Sequence, residues 1–366
     1  MHTANSSTTH TPDIGDQALP EDQFRQFVEA LPKAELHLHF EGTIFPAERR
    51  ALAEKNNLAL PEYAYETFTV GEGTNPEQRL TVFLELLEAS RQVLVSTDDF
   101  RTTMVELIRK SALSGTRYAE VFFDPQAHTS RGVPFAVMME GLLAGRREGR
   151  ELFGVDVNLI MSFHRYRSAE SAMEMLELAE PFKDEILGLG LDDHEGGDWV
   201  SRFIDVFAEG RRQGYRLTAH CDVDQPFAAE NMWRCIRELG VERIDHGLNA
   251  VDDAALLAHM VVNRIPITAC PTWSGVSEKP SRFTRMQILH QAGMLVSLNS
   301  DDPGLFESGT IANVMSSYGA VVGLSIQGLA EYARASFESA WIDDATRAIY
   351  IDELDAYLRD LPTFDR

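Results

Sequence analysis

Histidines and acidic residues follow several short apolar runs of this sequence, and their types and spacing could bind a divalent metal ion. His37 and His39 are two residues apart in one run, so both would point to the same face of an extended strand. Other runs end in His220, Asp245, His246, Asn299, Ser300, Asp301 and Asp302. Three or four imidazoles with a carboxylate suit an ion such as zinc, with one position open for water. Such a site generates hydroxide near neutral pH and favours hydrolysis.

The remaining histidines have weaker claims to a functional role, because a lone histidine at a strand end is more often structural. His128, His164 and His194 follow strands two, three and four, and either face a substrate or lie on the rim. We predict no role for His259 and His290, which lie in helical patterns, or for His2 and His10 near the N-terminus.

The elements that position these residues are eight short β-type runs alternating with longer helical patterns. The runs are Ala34 to His37, Tyr118 to Phe123, Val155 to Met161, Ile186 to Leu191, Leu217 to His220, Arg243 to Asp245, Pro266 to Ala269 and Leu295 to Leu298. Because each parallel crossover needs a helix, this alternation predicts a (β/α)8 TIM barrel in the α/β class. Two doubly wound domains are the weaker alternative. A barrel would gather the polar residues at the carboxyl ends of its strands.

Apolar residues recur at helical spacing between the strands. The predicted helices are Gln78 to Ser90, Asp98 to Ser114, Pro134 to Gly149, Ala169 to Glu180, Trp199 to Gln213, Ala228 to Leu239 and Asp252 to Val262. The segment from Phe45 to Ser114 is long enough for two or three helices over one barrel end, and Gly309 to Arg366 predicts helices after the last strand. We predict a flexible tail over residues 1–18 and a single barrel domain over 19–366.

Composition narrows the class of partner. The chain has 366 residues, of which 44% are hydrophobic and 25% are charged, and these values are typical of a globular protein. Its net charge of −24 would repel nucleic acid and anionic membranes. Three cysteines without metal or disulfide spacing, and no signal-like or membrane-spanning run, predict a cytoplasmic protein. We therefore expect a small, neutral or weakly charged molecule as the partner, and the chain could form a homodimer.

Three motifs carry a resemblance to a known family. PKAELHLHFEGT, RIDHG and SLNSDDP resemble the adenosine deaminase family of the metal-dependent amidohydrolase superfamily. YAEVFFDPQAHTSRGVPF, GLGLDDHE, ACPTWS and YARASFESAW are similar to its adenine deaminase-like branch, and the resemblance spans roughly Leu31 to Ile342. It implies that one zinc ion, or iron or manganese in its place, is bound by His37, His39, His220 and Asp301. It also implies that His246 polarises the attacking water, that Asp301 takes its proton and that Asp302 hydrogen-bonds a ring nitrogen of the substrate.

One departure from the family pattern concerns the proton donor. The family carries a glutamate three residues after its third metal-binding histidine, whereas this chain has Val223. Asp222 or Asp224 could replace it, since both would share the face of His220 if the strand stays extended. Alternatively, the reaction does not need that proton, or the protein binds its ligand without turnover.

A second departure concerns specificity. The loop after strand four carries Asp193 and His194, where the family has smaller residues, so both are candidate substrate contacts. Phe40 and Trp273 could stack on a flat ring. We therefore predict a zinc-dependent aminohydrolase acting on an adenine-like purine base, which could be N6-substituted. The alternatives are a hydrolase of another N-heterocycle with a different leaving group, and a catalytically impaired ligand-binding member.

Overall fold

Eight parallel strands form the centre of the computed structural model, which describes residues 21–68, 76–221, 227–272 and 282–361. The strands pair in sequence order, β1 to β8, and an isolated bridge between Leu38 and Asp301 joins the end of β8 to β1. The strands are β1 (Lys33–His39), β2 (Thr116–Phe123), β3 (Asp156–His164), β4 (Ile186–Asp192), β5 (Arg216–Cys221), β6 (Arg243–His246), β7 (Ile267–Ala269) and β8 (Val296–Leu298). The predicted (β/α)8 TIM barrel is confirmed. The tail predicted over residues 1–18 lies outside the described residues.

Helices alternate with the strands of the barrel, and further helices precede β1 and follow β8. They are α1 (Glu21–Ala30), α2 (Pro46–Lys55), α3 (Pro76–Gln92), α4 (Thr97–Leu113), α5 (Pro125–Thr129), α6 (Phe135–Phe153), α7 (Ala169–Ala179), α8 (Trp199–Arg202), α9 (Ile204–Gln213), α10 (Ala228–Arg234), α11 (Ala254–Val262), α12 (Arg282–Gln291), α13 (Ile311–Val322), α14 (Ile326–Ser339) and α15 (Asp344–Arg359). Three of them, α2 to α4, lie between β1 and β2, as predicted for that long segment. No helix in the described ranges is long and apolar enough to cross a membrane.

Two helices differ from their predicted form. The pattern from Trp199 to Gln213 is divided at Phe203, whose fully buried side chain joins the core. After α10, the chain continues as a π-helical turn to Leu239 and stops at Gly240, which has φ +66. The spacing of apolar residues predicted both segments, because buried residues repeat at helical intervals. That spacing does not reveal a break at one residue or a turn of π-helix.

Close packing of α6 on α4 depends on glycine. Gly141, Gly145 and Gly149 repeat every four residues and therefore share one face of α6. A Cβ atom at Gly145 would lie 2.4 Å from the carbonyl oxygen of Arg101 and 2.7 Å from Cβ of Met104. The missing side chains let α4 approach the backbone of α6, and this contact positions the helix that leads directly into β2.

Candidate metal centre and active site

Three predicted histidines converge at the carboxyl ends of two strands. His37 and His39 lie on β1, and their side chains share one face because strand residues alternate. The Nε2 atom of His39 is 3.3 Å from Nε2 of His37 and 3.0 Å from Nε2 of His220, at the end of β5. All three residues are buried. The barrel thus brings distant parts of the sequence to one point.

Asp301 follows β8, and its main chain forms hydrogen bonds with β1. Its N–H donates to the carbonyl oxygen of His37 at 3.2 Å, and its own carbonyl accepts from the N–H of His39 at 3.0 Å. The carboxylate Oδ1 lies 3.3 Å from Nε2 of His37 and 3.6 Å from Nε2 of His39. Asp301 has φ +63, and such unfavourable backbone conformations cluster at functional sites.

The four side chains have the spacing of a metal-ligand set. Zinc binds imidazole nitrogen and carboxylate oxygen at roughly 2.0–2.2 Å, so neighbouring ligand atoms of a tetrahedral site lie about 3.4 Å apart. The observed separations of 3.0, 3.3, 3.3 and 3.6 Å fall around that value. Nitrogen and carboxylate donors suit zinc and also accept iron or manganese. The residues present therefore fit a divalent ion.

Electrostatics at this point shifts the pKa values of His220 and Asp301 towards their metal-binding forms, whereas Asp301 raises the pKa of His37 although burial alone would lower it. Burial, together with the charges of His37 and His39, holds the pKa of His220 well below its usual range. Although burial alone would raise the pKa of Asp301, the neighbouring histidines lower it strongly. A neutral imidazole and an ionised carboxylate are the forms that bind metal ions.

His246 ends β6 beside this cluster. Its ring centroid is 4.6 Å from that of His37 and 5.3 Å from that of His220. It too has a positive φ, +60. Potential ligand atoms of His37, His246, Cys270 and Asp301 lie within 4.8 Å of one another. Burial raises the pKa of Cys270 well above its usual range, which opposes formation of the thiolate in the metal-free protein.

Asp302 is also buried at this end of the barrel. A Cβ atom at Gly42 would lie 1.8 Å from its Oδ1, so the glycine in the HLHFEGT motif makes room for this carboxylate. Burial and the charge of Asp301 raise the pKa of Asp302 well above its usual range. The surroundings thus shift the pKa values of the two adjacent acids in opposite directions.

Phe122, which the sequence analysis did not single out, forms the aromatic wall of the cluster. Its ring centroid is 5.4, 5.1 and 5.2 Å from those of His37, His39 and His220. Phe40 packs elsewhere: it is fully buried, and its ring stacks on Phe100 of α4 at 6.0 Å. Phe40 follows the last residue of β1 with helical backbone angles, and its buried contact with Phe100 favours a packing role.

A buried hydrogen-bonded chain borders the site on the side of β2. His128 donates from Nε2 to Oε1 of Glu41 at 2.8 Å, and Arg131 donates to Nδ1 of His128 at 2.8 Å. Glu41 also accepts from the main-chain N–H of Asp124 at 3.1 Å. The sequence analysis did not single out Glu41, although Glu41 lies in the HLHFEGT motif and could have been found from it. His128 is therefore a buried partner of this acid rather than a rim residue.

Further acids approach His39 from β2 and β4. Potential ligand atoms of His39, Asp124 and Asp192 lie within 4.8 Å of one another, and His164 Nε2 is 3.5 Å from Asp124. Arg91, from α3, lies 2.5 Å from Asp124 and compensates its charge. Although burial alone would raise the pKa of Asp124, Arg91 holds it well below the usual range. No motif marks Arg91, since an arginine in an amphipathic helix is ordinarily solvated.

Asp193 and His194 lie in the loop after β4, on a groove bordered by Tyr63, Tyr166 and α3. The carboxylate of Asp193 is 3.9 Å from Arg91. Asp193 has φ +72. His194 is half-buried at the edge of the groove. The remaining predicted site residues, Asp222, Val223, Asp224 and Trp273, lie outside the described residues.

Known proteins are similar to this chain in sequence and in fold. A family model described as adenosine deaminase matches residues 32–357. The adenine deaminase of Streptomyces coelicolor is 38% identical over 339 residues, covering 89% of this chain and 96% of the relative. The crystal structure of adenine deaminase from Arthrobacter aurescens has a TM-score of 0.80 and 31% identity, covering 90% of this chain and 100% of that one. An amidohydrolase from Burkholderia ambifaria, with bound Zn, has a TM-score of 0.80 and 26% identity, covering 94% and 96%.

An eight-stranded barrel with imidazoles and carboxylates gathered at its carboxyl-terminal mouth defines the class, a barrel enzyme of the metal-dependent amidohydrolase type. Within that class, the chain belongs to the adenosine deaminase family.

Proposed function

We propose that the protein is a zinc-dependent aminohydrolase that replaces the amino group of an adenine-like purine base with oxygen and releases ammonia. The convergence of His37, His39, His220 and Asp301 at ligand spacing carries this proposal. Similarity to adenine deaminases over about nine-tenths of the chain supports the substrate class. An N6-substituted purine, releasing an organic amine, belongs to the same reaction type.

The four convergent side chains would hold the metal ion, which when bound supplies a hydrolytic nucleophile by lowering the pKa of water. His246 lies beside the cluster and would orient the attacking water. Asp301 would accept its proton, and Asp302 would hydrogen-bond a ring nitrogen of the base. Phe122 closes the site behind the histidines and excludes water from that side.

The ring nitrogen that becomes electron-rich during attack needs a proton donor, and Val223 cannot be that donor. We infer that Asp222 or Asp224 supplies the proton. Support comes from their position in the sequence, two and four residues after the proposed ligand His220. Replacing each aspartate separately with asparagine keeps its size and removes its proton.

Asp193 and His194 are proposed to contact the substrate at the groove beside α3, and Trp273 is proposed to stack on its ring. An acid and an imidazole at this edge would favour a substrate carrying hydrogen-bond donors. A cytoplasmic location and a homodimer stay predictions.

A substrate panel tests the proposal. Zinc-loaded protein is incubated with adenine, N6-alkyl adenines, adenosine, cytosine, aminopterins and aminotriazines, while ammonia, organic amine and the ultraviolet spectrum are followed. Release from adenine or an N6-alkyl adenine is expected. Release of ammonia or amine only from a non-purine would indicate that the substrate is another heterocycle. No release from any compound by protein with confirmed zinc would contradict turnover.

Variants at the strand-five loop accompany the panel. Loss of turnover in Asp222→Asn or Asp224→Asn, but not in both, would identify the donor. Unchanged rates in both variants would exclude the two aspartates. Val223→Glu restores the family residue, so a gain of adenine deamination would show that valine had limited that reaction.

A further inference from the structure

A buried polar network lies inside the barrel beneath the metal-ligand cluster, and it centres on Asp245 of β6. Thr268, on β7, donates to Oδ1 of Asp245 at 2.9 Å, and Thr218, on β5, donates to Oδ2 at 2.7 Å. All three side chains are fully buried. Arg243 lies 3.6 Å from the same carboxylate and 2.5 Å from Glu120. The arginine and the two hydroxyl donors stabilise Asp245 as a carboxylate.

The direction of each hydrogen bond determines the tautomer of His37. A threonine hydroxyl has one proton, and an ionised carboxylate can only accept. The proton of Thr268 therefore points to Asp245, which leaves the hydroxyl oxygen to accept from Nδ1 of His37 at 2.9 Å. With its proton on Nδ1, the ring presents the lone pair of Nε2. That nitrogen faces His39 and Asp301.

We propose that Thr268 and Asp245 are positioning residues that set the tautomer and ring orientation of His37 and thereby the affinity for the metal ion. This inference rests on the proposed function, because it requires a metal bound through His37. Asp245 also lies 3.4 Å from Nδ1 of His220, so one carboxylate faces the far side of two proposed ligands. Partners of this kind orient ligating histidines and raise their basicity.

Two buried threonines allow a matched experiment. Thr268→Val keeps the side-chain shape and removes the hydroxyl between Asp245 and His37, whereas Thr268→Ser keeps that hydroxyl. Thr218→Val is the control, because the single proton of the Thr218 hydroxyl faces Asp245 and the main-chain oxygen of Arg243 rather than a histidine. Zinc affinity is measured by competition with a chromophoric chelator. Thermal unfolding of each metal-free protein reports the structural cost separately.

Thr268→Val should bind zinc about 10- to 100-fold more weakly than wild type. Thr268→Ser should bind zinc with nearly the affinity of wild type. Thr218→Val should lose as much thermal stability as Thr268→Val, but it should lose less zinc affinity. Asp245→Asn removes the negative charge that faces the far side of His37, through Thr268, and of His220, so both imidazoles should become weaker ligands. We therefore expect it to lose affinity even if Thr268→Val fails to fold.

Equal losses of zinc affinity in Thr268→Val and Thr218→Val would overturn the inference, since a structural role explains them. Wild-type affinity in folded Asp245→Asn would overturn it as well. Failure of the wild-type protein itself to bind zinc would overturn the proposed metal site first, and this inference with it. The wild-type measurement thus separates failure of the proposed function from failure of the positioning network.

Discussion

His246 can be tested with a substitution that its backbone tolerates. Its φ of +60 is unfavourable for most residues, but asparagine adopts this conformation more readily. His246→Asn should therefore fold and bind metal while losing the proposed orienting group, and kcat should fall by roughly 10²- to 10⁴-fold. Steady-state kinetics and metal content are measured together. His259→Asn, on α11, is the matched control, and near-full turnover in His246→Asn would contradict the proposed role.

Lys33 predicts a pH dependence of stability. It is buried, and its Nζ donates to the carbonyl oxygens of Val28 and Ser114. Burial lowers the pKa of Lys33 to about 7 from 10.5, although Glu35 opposes the shift. Between these values the unfolded chain binds a proton that the folded protein does not, so the lysine costs stability at pH 7 and this cost falls as pH rises.

Lys33→Met removes the titrating group and keeps a long apolar side chain. From pH 7 to pH 10, the free energy of unfolding of wild type should rise relative to this variant by up to about 4 kcal/mol. Urea unfolding of both proteins at each pH measures the difference. A difference that does not change with pH would show that Lys33 titrates normally in the folded state.

Residue types at strand ends were predictable, but several of their neighbours were not. The spacing of His37 and His39 and their resemblance to a known motif identified the cluster. Phe122 lies between Val121 and Phe123 at the apolar end of its run, so nothing distinguished it from the core. Arg91 contacts Asp124 from α3, and that contact depends on tertiary packing rather than on local pattern.

At the scale of elements, all eight strands were found from short apolar runs bounded by helical periodicity. The errors lie at the ends: β1 continues to His39 and β6 includes His246, because a histidine interrupts an apolar pattern without interrupting strand pairing. Helix breaks depend on burial of single side chains such as Phe203, which periodicity cannot register. The long segment between β1 and β2 was correctly assigned to helices, but its contacts with the site were not predictable.

The α4–α6 contact provides a stability prediction at this scale. Gly145→Ala places a methyl group against the backbone of Arg101 and should lower the free energy of unfolding by about 1–3 kcal/mol. Gly328→Ala, on α14, is the control, because its Cβ would meet a flexible leucine side chain at 3.3 Å. Better helix propensity should make that variant neutral or more stable by at most about 1 kcal/mol. Urea unfolding measures the free energy of unfolding of both variants. Equal changes in Gly145→Ala and Gly328→Ala would contradict the packing argument.

For the whole molecule, the proposed metal ion would connect strands that have few main-chain hydrogen bonds between them. Its ligands come from β1, β5 and the chain after β8, and β8 meets β1 through the bridge between Leu38 and Asp301 and the main-chain bonds of Asp301. By contrast, β2 and β3 pair continuously from Tyr118 to Phe123. The seam between β8 and β1 should therefore depend on the metal more than the rest of the barrel does.

Hydrogen–deuterium exchange before and after chelation tests this dependence. Removing the metal should increase exchange in residues 299–305 and at the end of β1, because binding stabilises the folded state and its effect is largest where local opening breaks the site. The β2–β3 ladder serves as the internal control. Zinc should restore protection, whereas magnesium should not, since it prefers oxygen ligands. An equal increase in the β2–β3 ladder would mean that the ion stabilises the barrel globally, and an unchanged seam would mean that protein contacts alone close it.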